Sequence, residues 1–257
     1  AIRAIVAYLQ QVDPDFAPRA AAILRSGDHA ALTGLLRRLD DARGDYVARS
    51  SPAAYARARL HAEAAVQLLD HAESWAFGAA EFHHARNLDL ALQLAGDAHK
   101  VLLWTENRRA AADVPGAAPS AGEYLRTWHG AAHLALGGVF VRGRALTERA
   151  GDRLCPTELP PAPSGSFDAA FADLPGPALL LVPDLLVRPA LARALRRKPA
   201  IRAIEGPYDP DSPGRYDDLY KSLDTAFDAL LVIPVVTAAA PVPGLGRPGP
   251  SGCVELL

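Results

Sequence analysis

The chain contains no methionine and only two cysteines. Cys155 and Cys253 lie far apart and match no metal-ligand or redox spacing, which excludes a zinc ribbon or a Cys-x-x-Cys centre. Two unpaired thiols in a reducing cytosol are the expectation. No stretch approaches the ~18 uninterrupted apolar residues of a membrane-spanning helix, and no signal peptide is visible. A cytoplasmic location without a membrane partner is therefore expected. The formal net charge is only −2, which gives no electrostatic reason to expect nucleic acid as a partner. There is no Gly-x-Ser-x-Gly elbow, so the usual nucleophilic serine cannot be argued. Gly244-Leu-Gly-Arg-Pro-Gly249 is no phosphate loop, because its proline blocks the helix that must follow. With half of its 257 residues hydrophobic and 22% charged, the chain is of globular composition and can bury a substantial core.

The first 79 residues read as a helical cap or insertion. Ile2, Ile5, Val6 and Leu9 form one apolar stripe at helical spacing. Asp13-Pro14-Asp15 breaks that helix, Ser26-Gly27 ends the next, and Asp28 caps a third with Leu32, Leu35, Leu36 and Leu39 on one face. Ser51-Pro52 opens a long fourth helix. Residues 80–240 alternate helix and strand, with strands expected at 101–105, 139–141, 178–182, 201–204 and 229–236. That alternation predicts an α/β fold, a mostly parallel sheet flanked by helices. Ser120 and Glu123 suit a capping box for a helix through Leu136, and 189–198 reads as a short basic helix. The proline-rich stretch 156–164 reads as a surface loop, and 241–257 as a flexible tail.

The richest stretch is Lys100-Val-Leu-Leu-Trp-Thr-Glu-Asn-Arg-Arg109, an apolar run that stops in polar and charged residues. Ligands of parallel α/β sheets sit outside the carboxyl ends of strands, which makes Thr105, Glu106, Asn107 and Arg109 candidates. Glu106 could accept a proton and Arg109 could steady negative charge; the alternative is an ion pair that merely solvates a strand end. His129 and His133 at i and i+4 would share a helical face, but no general-base glutamate accompanies them and packing is the simpler reading. His83 and His84 lack further ligands at compatible spacing, so no metal is expected. Gly165-Ser166 is a helix cap rather than a nucleophile, and Asp184 either orients a ligand or caps a helix.

This segment and the helix before it resemble the erythromycin esterase family. His84-Ala85-Arg86-Asn87 stands where the family has Met-Ala-x-Asn, and Glu106-Asn107-Arg108-Arg109 stands where it has His-Asn-x-His. Only the asparagine matches in the second motif. Val12-Asp13-Pro14, Gly165-Ser166-Phe167 and Asp224-Thr-Ala-Phe-Asp-Ala-Leu-Leu231 are similar to further family motifs in the same order. The resemblance implies hydrolysis of an ester or lactone by activated water, without metal or cofactor. It makes Glu106 and Arg109 the catalytic candidates, and His84, Asn87, Thr105 and Asn107 the substrate-binding ones. Nothing in the chain matches the family's opening strand and His-Gly loop, so the chain is expected to be the middle and C-terminal part of a longer protein, or a member without its first lobe. Two other readings stay open: a non-catalytic relative that binds a small molecule, and a helical oligomerisation module using Leu32, Leu36 and Leu39.

Overall fold

A computed structural model describes residues 2–74, 77–96, 99–116, 118–149, 153–204, 208–209, 217–239, 246–248 and 253–256. The chain divides into two compact units, Ala1–Trp104 and Thr105–Leu257. The helical unit therefore runs past residue 79 and includes one further helix.

Six helices build the first unit: α1 (Ile2–Val12), α2 (Ala17–Ser26), α3 (His29–Asp41), α4 (Arg43–Ala48), α5 (Pro52–Ser74) and α6 (Phe77–Ala95). The stops and starts follow local chemistry. Gly27 takes φ 65° after α2, a left-handed geometry that glycine enters without a Cβ clash. The Asp28 carboxylate then accepts hydrogen bonds from the backbone of Ala30 (2.9 Å) and Ala31 (3.2 Å) at the start of α3. Ile5, Leu9 and Val12 of α1 meet Leu32, Leu35 and Leu39 of α3 and the small side chains of Ala58 and Ala62 on α5 in one core. The leucines of the oligomerisation reading are consumed here: Leu32 is 3% and Leu39 0% exposed, and Leu36 packs against the same cluster.

Charged side chains stitch these helices together. Arg59 donates to Asp40 (2.7 Å) and Glu63 (2.6 Å), and Arg86 of α6 reaches Glu63 (3.3 Å) and Asp89 (3.1 Å). The Arg59 hydrogen bond holds the Asp40 carboxyl below its usual range, against burial, which raises it. Asp13 is lowered likewise, first by the Tyr46 hydroxyl and then by Arg38. Burial, then Asp40, pushes the Tyr55 hydroxyl up to about 12. A carboxyl whose folded pKa lies below its unfolded value of 3.8 stabilises the fold above that pH. That contribution is lost as pH falls through the folded pKa. The midpoint of thermal unfolding, followed by helical circular dichroism, should therefore drop steeply below pH 4, and Asp40→Asn should flatten the drop. An unchanged slope in the variant would remove Asp40 from the account.

The second unit contains, in chain order, α7 (Asn107–Ala110), α8 (Ala121–His129), β1 (Leu136–Arg149), β2 (Arg153–Leu159), β3 (Ala178–Leu181), α9 (Val182–Leu186), α10 (Pro189–Leu195), β4 (Ala200–Arg202), β5 (Asp217–Leu219), α11 (Leu223–Ala226), β6 (Ala229–Val236), β7 (Gly246–Pro248) and β8 (Val254–Leu256). The main sheet has the order β3-β6-β1-β2-β8-β7, and β4 and β5 form a separate pair. The α/β class with helices ahead of it is as expected. Strand direction differs: among the described strands only β1 and β6 run parallel, and the other pairs are antiparallel. β1 ends at Arg149 and β2 begins at Arg153, too short a link for the crossover that a parallel pair needs. β6 lies between β3 and β1, which accounts for its unbroken apolar run, with Leu230 and Val232 fully buried.

Several local expectations need correction. Residues 101–105 form no strand; Leu102 and Trp104 are each 87% exposed. Apolar composition alone read as a buried strand what has no pairing partner among the described residues. The expected loop at 156–164 begins only after Leu159, because Pro156 sits inside β2 opposite Leu146. On its other side β2 pairs with β8 only at Arg153 and Leu154, so Pro156 has no β8 partner among the described residues. The stretch 241–257 holds β7 and β8 where it is described, while 241–245, 249–252 and 257, including Gly244, lie outside the described residues. The cysteines are not free thiols: Cys155 and Cys253 form a disulfide across a sequence separation of 98. The antiparallel pairing of Leu154 with Val254 sets these two neighbours side by side.

Candidate active site

The candidate residues on α7 and its approach are held by two different devices. Glu106 stands just before α7 in extended backbone and pairs with Arg109 one turn later, Arg109 Nη2 to Glu106 Oε1 3.1 Å. Both side chains stay partly accessible, at 36% and 26%. Asn107 between them is spent on the sheet. Its Nδ2 donates to the Gly138 carbonyl (2.7 Å) and its Oδ1 accepts from the Gly138 amide (2.6 Å). A side-chain amide thus imitates a neighbouring strand and clamps α7 to β1. Thr105 is half-buried and begins the second unit.

His84 and Asn87 belong to α6 in the first unit. Nδ1 of His84 lies 4.0 Å from the fully buried Glu81. Asn87 Nδ2 donates to Gln67 Oε1 (2.8 Å), bridging α6 to α5, while its Oδ1 is buried without a partner. An acceptor therefore remains on Asn87, and one amide hydrogen on Asn107.

His129 and His133 do not share a helical face. α8 carries the expected capping box, with Ser120 Oγ accepting from Glu123 N (3.0 Å) and Glu123 accepting from Ser120 N (2.7 Å), but it ends at His129 rather than at 136. Gly130 at φ 54° turns the chain, and His133 lies in extended backbone. Burial, and then Arg126, hold the His133 imidazole below its ordinary pKa. Among the described residues no cluster of His, Cys, Asp and Glu could hold a metal ion. Asp184 sits exposed in the first turn of α9, where no side-chain capping hydrogen bond is described, and Ser166 Oγ accepts from Ala169 N (3.3 Å) as a turn cap.

Sequence reading missed the ties that set this geometry. Asp228 accepts from Arg126 of α8 and from Ala135 N (2.7 Å), which anchors α8 to the starts of β1 and β6. Arg126 and Asp228 are 102 residues apart, and no local pattern pairs them.

Residues 1–236 match the sequence profile of the family described as erythromycin esterase. A comparison with curated proteins finds no match. Among solved structures, a Bacillus cereus protein superposes with a TM-score of 0.74 at 15% identity, over 91% of this chain and 63% of its own. A succinoglycan biosynthesis protein gives 0.70 at 15% identity, over 92% and 61%. A mutant of the erythromycin esterase EreC in its open conformation gives 0.64 at 13%, over 91% and 64%. The chain thus spans between 61% and 64% of the length of these structures, and at such identities the likeness is one of fold.

Proposed function

We propose a hydrolytic role for this chain, which belongs to the erythromycin esterase family. The reaction is opening of an ester or lactone by activated water without a metal, with a small-molecule substrate. The observation that carries the reading is the accessible Glu106–Arg109 pair on α7, where the family places its His-Asn-x-His motif. Glu106 as a carboxylate takes a proton from water, and Arg109 stabilises the oxyanion or leaving alkoxide. Thr105 and the remaining amide hydrogen of Asn107 line the substrate; His84 and Asn87 of the first unit are substrate-binding candidates on the resemblance alone. Macrolide lactones are the first substrates to try, with simple aryl esters beside them; macrolide turnover would make antibiotic resistance the biological role.

The test is steady-state hydrolysis by the full-length protein. Glu106→Gln and Arg109→Met should each lower kcat by about 10²-fold or more. Wild-type rates in both variants would leave the pair a structural salt bridge. Binding without turnover by any variant or by the wild type would favour the second reading, a non-catalytic small-molecule binder. The 3.1 Å contact between Glu106 and Arg109, in which each charge already neutralises the other, speaks for that reading.

No described helix is long and apolar enough to cross a membrane. A cytoplasmic location rests on the thiol argument, and the Cys155–Cys253 disulfide turns that argument towards an oxidising compartment. Mass spectrometry of the protein isolated under alkylating, non-reducing conditions decides between the two.

A further inference from the structure

A cavity of about 830 Å³ in the first unit is lined by Arg59 and Arg86, but both are neutralised by Asp40, Glu63 and Asp89. A second cavity, of about 730 Å³ in the second unit, differs in that its basic side chains have no ion-pair partner among the described residues. Its apolar wall contains Phe167 and Phe171, packed edge to face with centroids 5.2 Å apart, together with Leu180 and Leu185. Its rim carries Arg188, Arg193, Arg197 and Lys198, all exposed. Among the described residues no carboxylate lines it. The nearby acid Asp224 is taken by Arg196, whose Nε lies 2.6 Å from it. Lys198 adopts φ 52°, a left-handed geometry that a residue with a Cβ rarely takes. It ends the basic run and turns the chain into β4, where Pro199 and Ala200 complete the lining.

The volume falls within the roughly 300–1,000 Å³ of small-molecule sites, which combine an apolar body with a few polar groups. Four like charges around one mouth repel each other, and no described side chain offsets that cost. An anion at the mouth would relieve it, and the aromatic and aliphatic wall behind would take an apolar tail. We propose that this cavity binds an amphiphilic anion, one carboxylate or phosphate head on an aliphatic chain, seated with its head among Arg188, Arg193, Arg197 and Lys198 and its chain against Phe167 and Phe171. This site is separate from the Glu106–Arg109 pair and does not depend on turnover.

Isothermal titration of the full chain with dodecanoate and dodecyl phosphate, each below its micelle concentration, and with dodecanol below its solubility limit, tests it. Expected is saturable one-to-one binding of at least one of the two anions, with dodecanol at least tenfold weaker. The stronger anion identifies the head. An exposed ion pair contributes at most roughly fivefold, so Arg193→Ser with Arg197→Ser should weaken binding by about 2- to 25-fold, and added salt should weaken wild-type binding. Ala170→Trp, at an exposed position of the lining, should weaken binding by placing an indole where the chain would lie. Equal affinity for dodecanol, or no saturable binding of either anion, overturns the proposal. So does binding confined to vesicles containing phosphatidylglycerol, which would make the basic patch a membrane contact instead.

Discussion

Gly122→Ala is expected to destabilise the protein by about 3 kcal/mol or more, although alanine is the better helix former by about 1 kcal/mol. Gly122 lies in the first turn of α8, and a Cβ there would stand 2.2 Å from the Ala110 carbonyl oxygen and 2.3 Å from that of Ala111. Neither oxygen belongs to a side chain that can swing aside. The Ala111 oxygen accepts the Ser120 hydroxyl at 2.6 Å, so pulling the chain away also breaks a buried hydrogen bond. The strain would be relieved by pushing α7 outward, which loosens the Asn107 clamp on Gly138 and with it the seat of Glu106 and Arg109. The variant should thus lose thermal stability and, if the hydrolytic reading holds, activity as well. Gly34→Ala on α3 is the matched control, because nothing lies within 4 Å of its would-be Cβ. It should stabilise by about 0.8–1 kcal/mol. Urea titrations of the two variants side by side decide the matter, and equal stabilities would dismiss the close approach of α8 to α7.

The contrast between these glycines shows what kind of information the chain exposes to a reader. Caps and stops written in neighbouring residues were legible: Gly27 and Asp28 around α3, Ser120 with Glu123 on α8, and the apolar run of β6. Each depends on interactions within a few positions. Strand direction was not legible, because it depends on which distant segment lies alongside, and the parallel partner of β1 begins at Ala229. The segment 101–105 misled for the same reason. Three adjacent apolar residues, Leu102, Leu103 and Trp104, satisfy any local test for a buried strand, yet all three are exposed.

At the candidate site the residue types were legible and their employment was not. Glu106 and Arg109 were open to view as a possible ion pair at i and i+3. The role of Asn107 was hidden, since its partner Gly138 is 31 residues away and contributes only backbone atoms. The disulfide was hidden likewise by a separation of 98 residues and became visible only once β8 paired with β2. The family resemblance supplied what the local patterns could not, because it transmits long-range arrangement through the order of short motifs.

The buried charges around β4 set the other large effect. Asp168 is 0% and Arg202 1% exposed, and the Asp168 carboxylate accepts from the Arg202 backbone amide at 3.0 Å. The Arg202 guanidinium donates through Nη1 to the carbonyls of Pro160 (2.8 Å) and Val141 (3.3 Å), while its Nε and Nη2 are buried without a partner. Asp168→Ala would strand a buried N–H and remove negative charge from the surroundings of a cation that has no carboxylate hydrogen bond among the described residues. A loss of about 3–5 kcal/mol is expected, the range seen when one member of a buried charged arrangement is deleted. Arg202→Met should cost less. The backbone amide that donates to Asp168 is kept, and methionine fills the place of the desolvated cation with apolar volume. The ordering matters for the cavity, because Phe167 N donates to the Ala200 carbonyl at 3.2 Å and both residues line it. Asp168→Ala should accordingly weaken amphiphile binding together with stability, whereas Arg202→Met should leave binding close to wild type. Urea denaturation of both variants, with titration of dodecanoate into each, measures the two effects together. If Asp168→Ala proves as stable as Arg202→Met, the carboxylate is not compensating buried charge, and β4 owes its position to packing of Ile201 in the core instead.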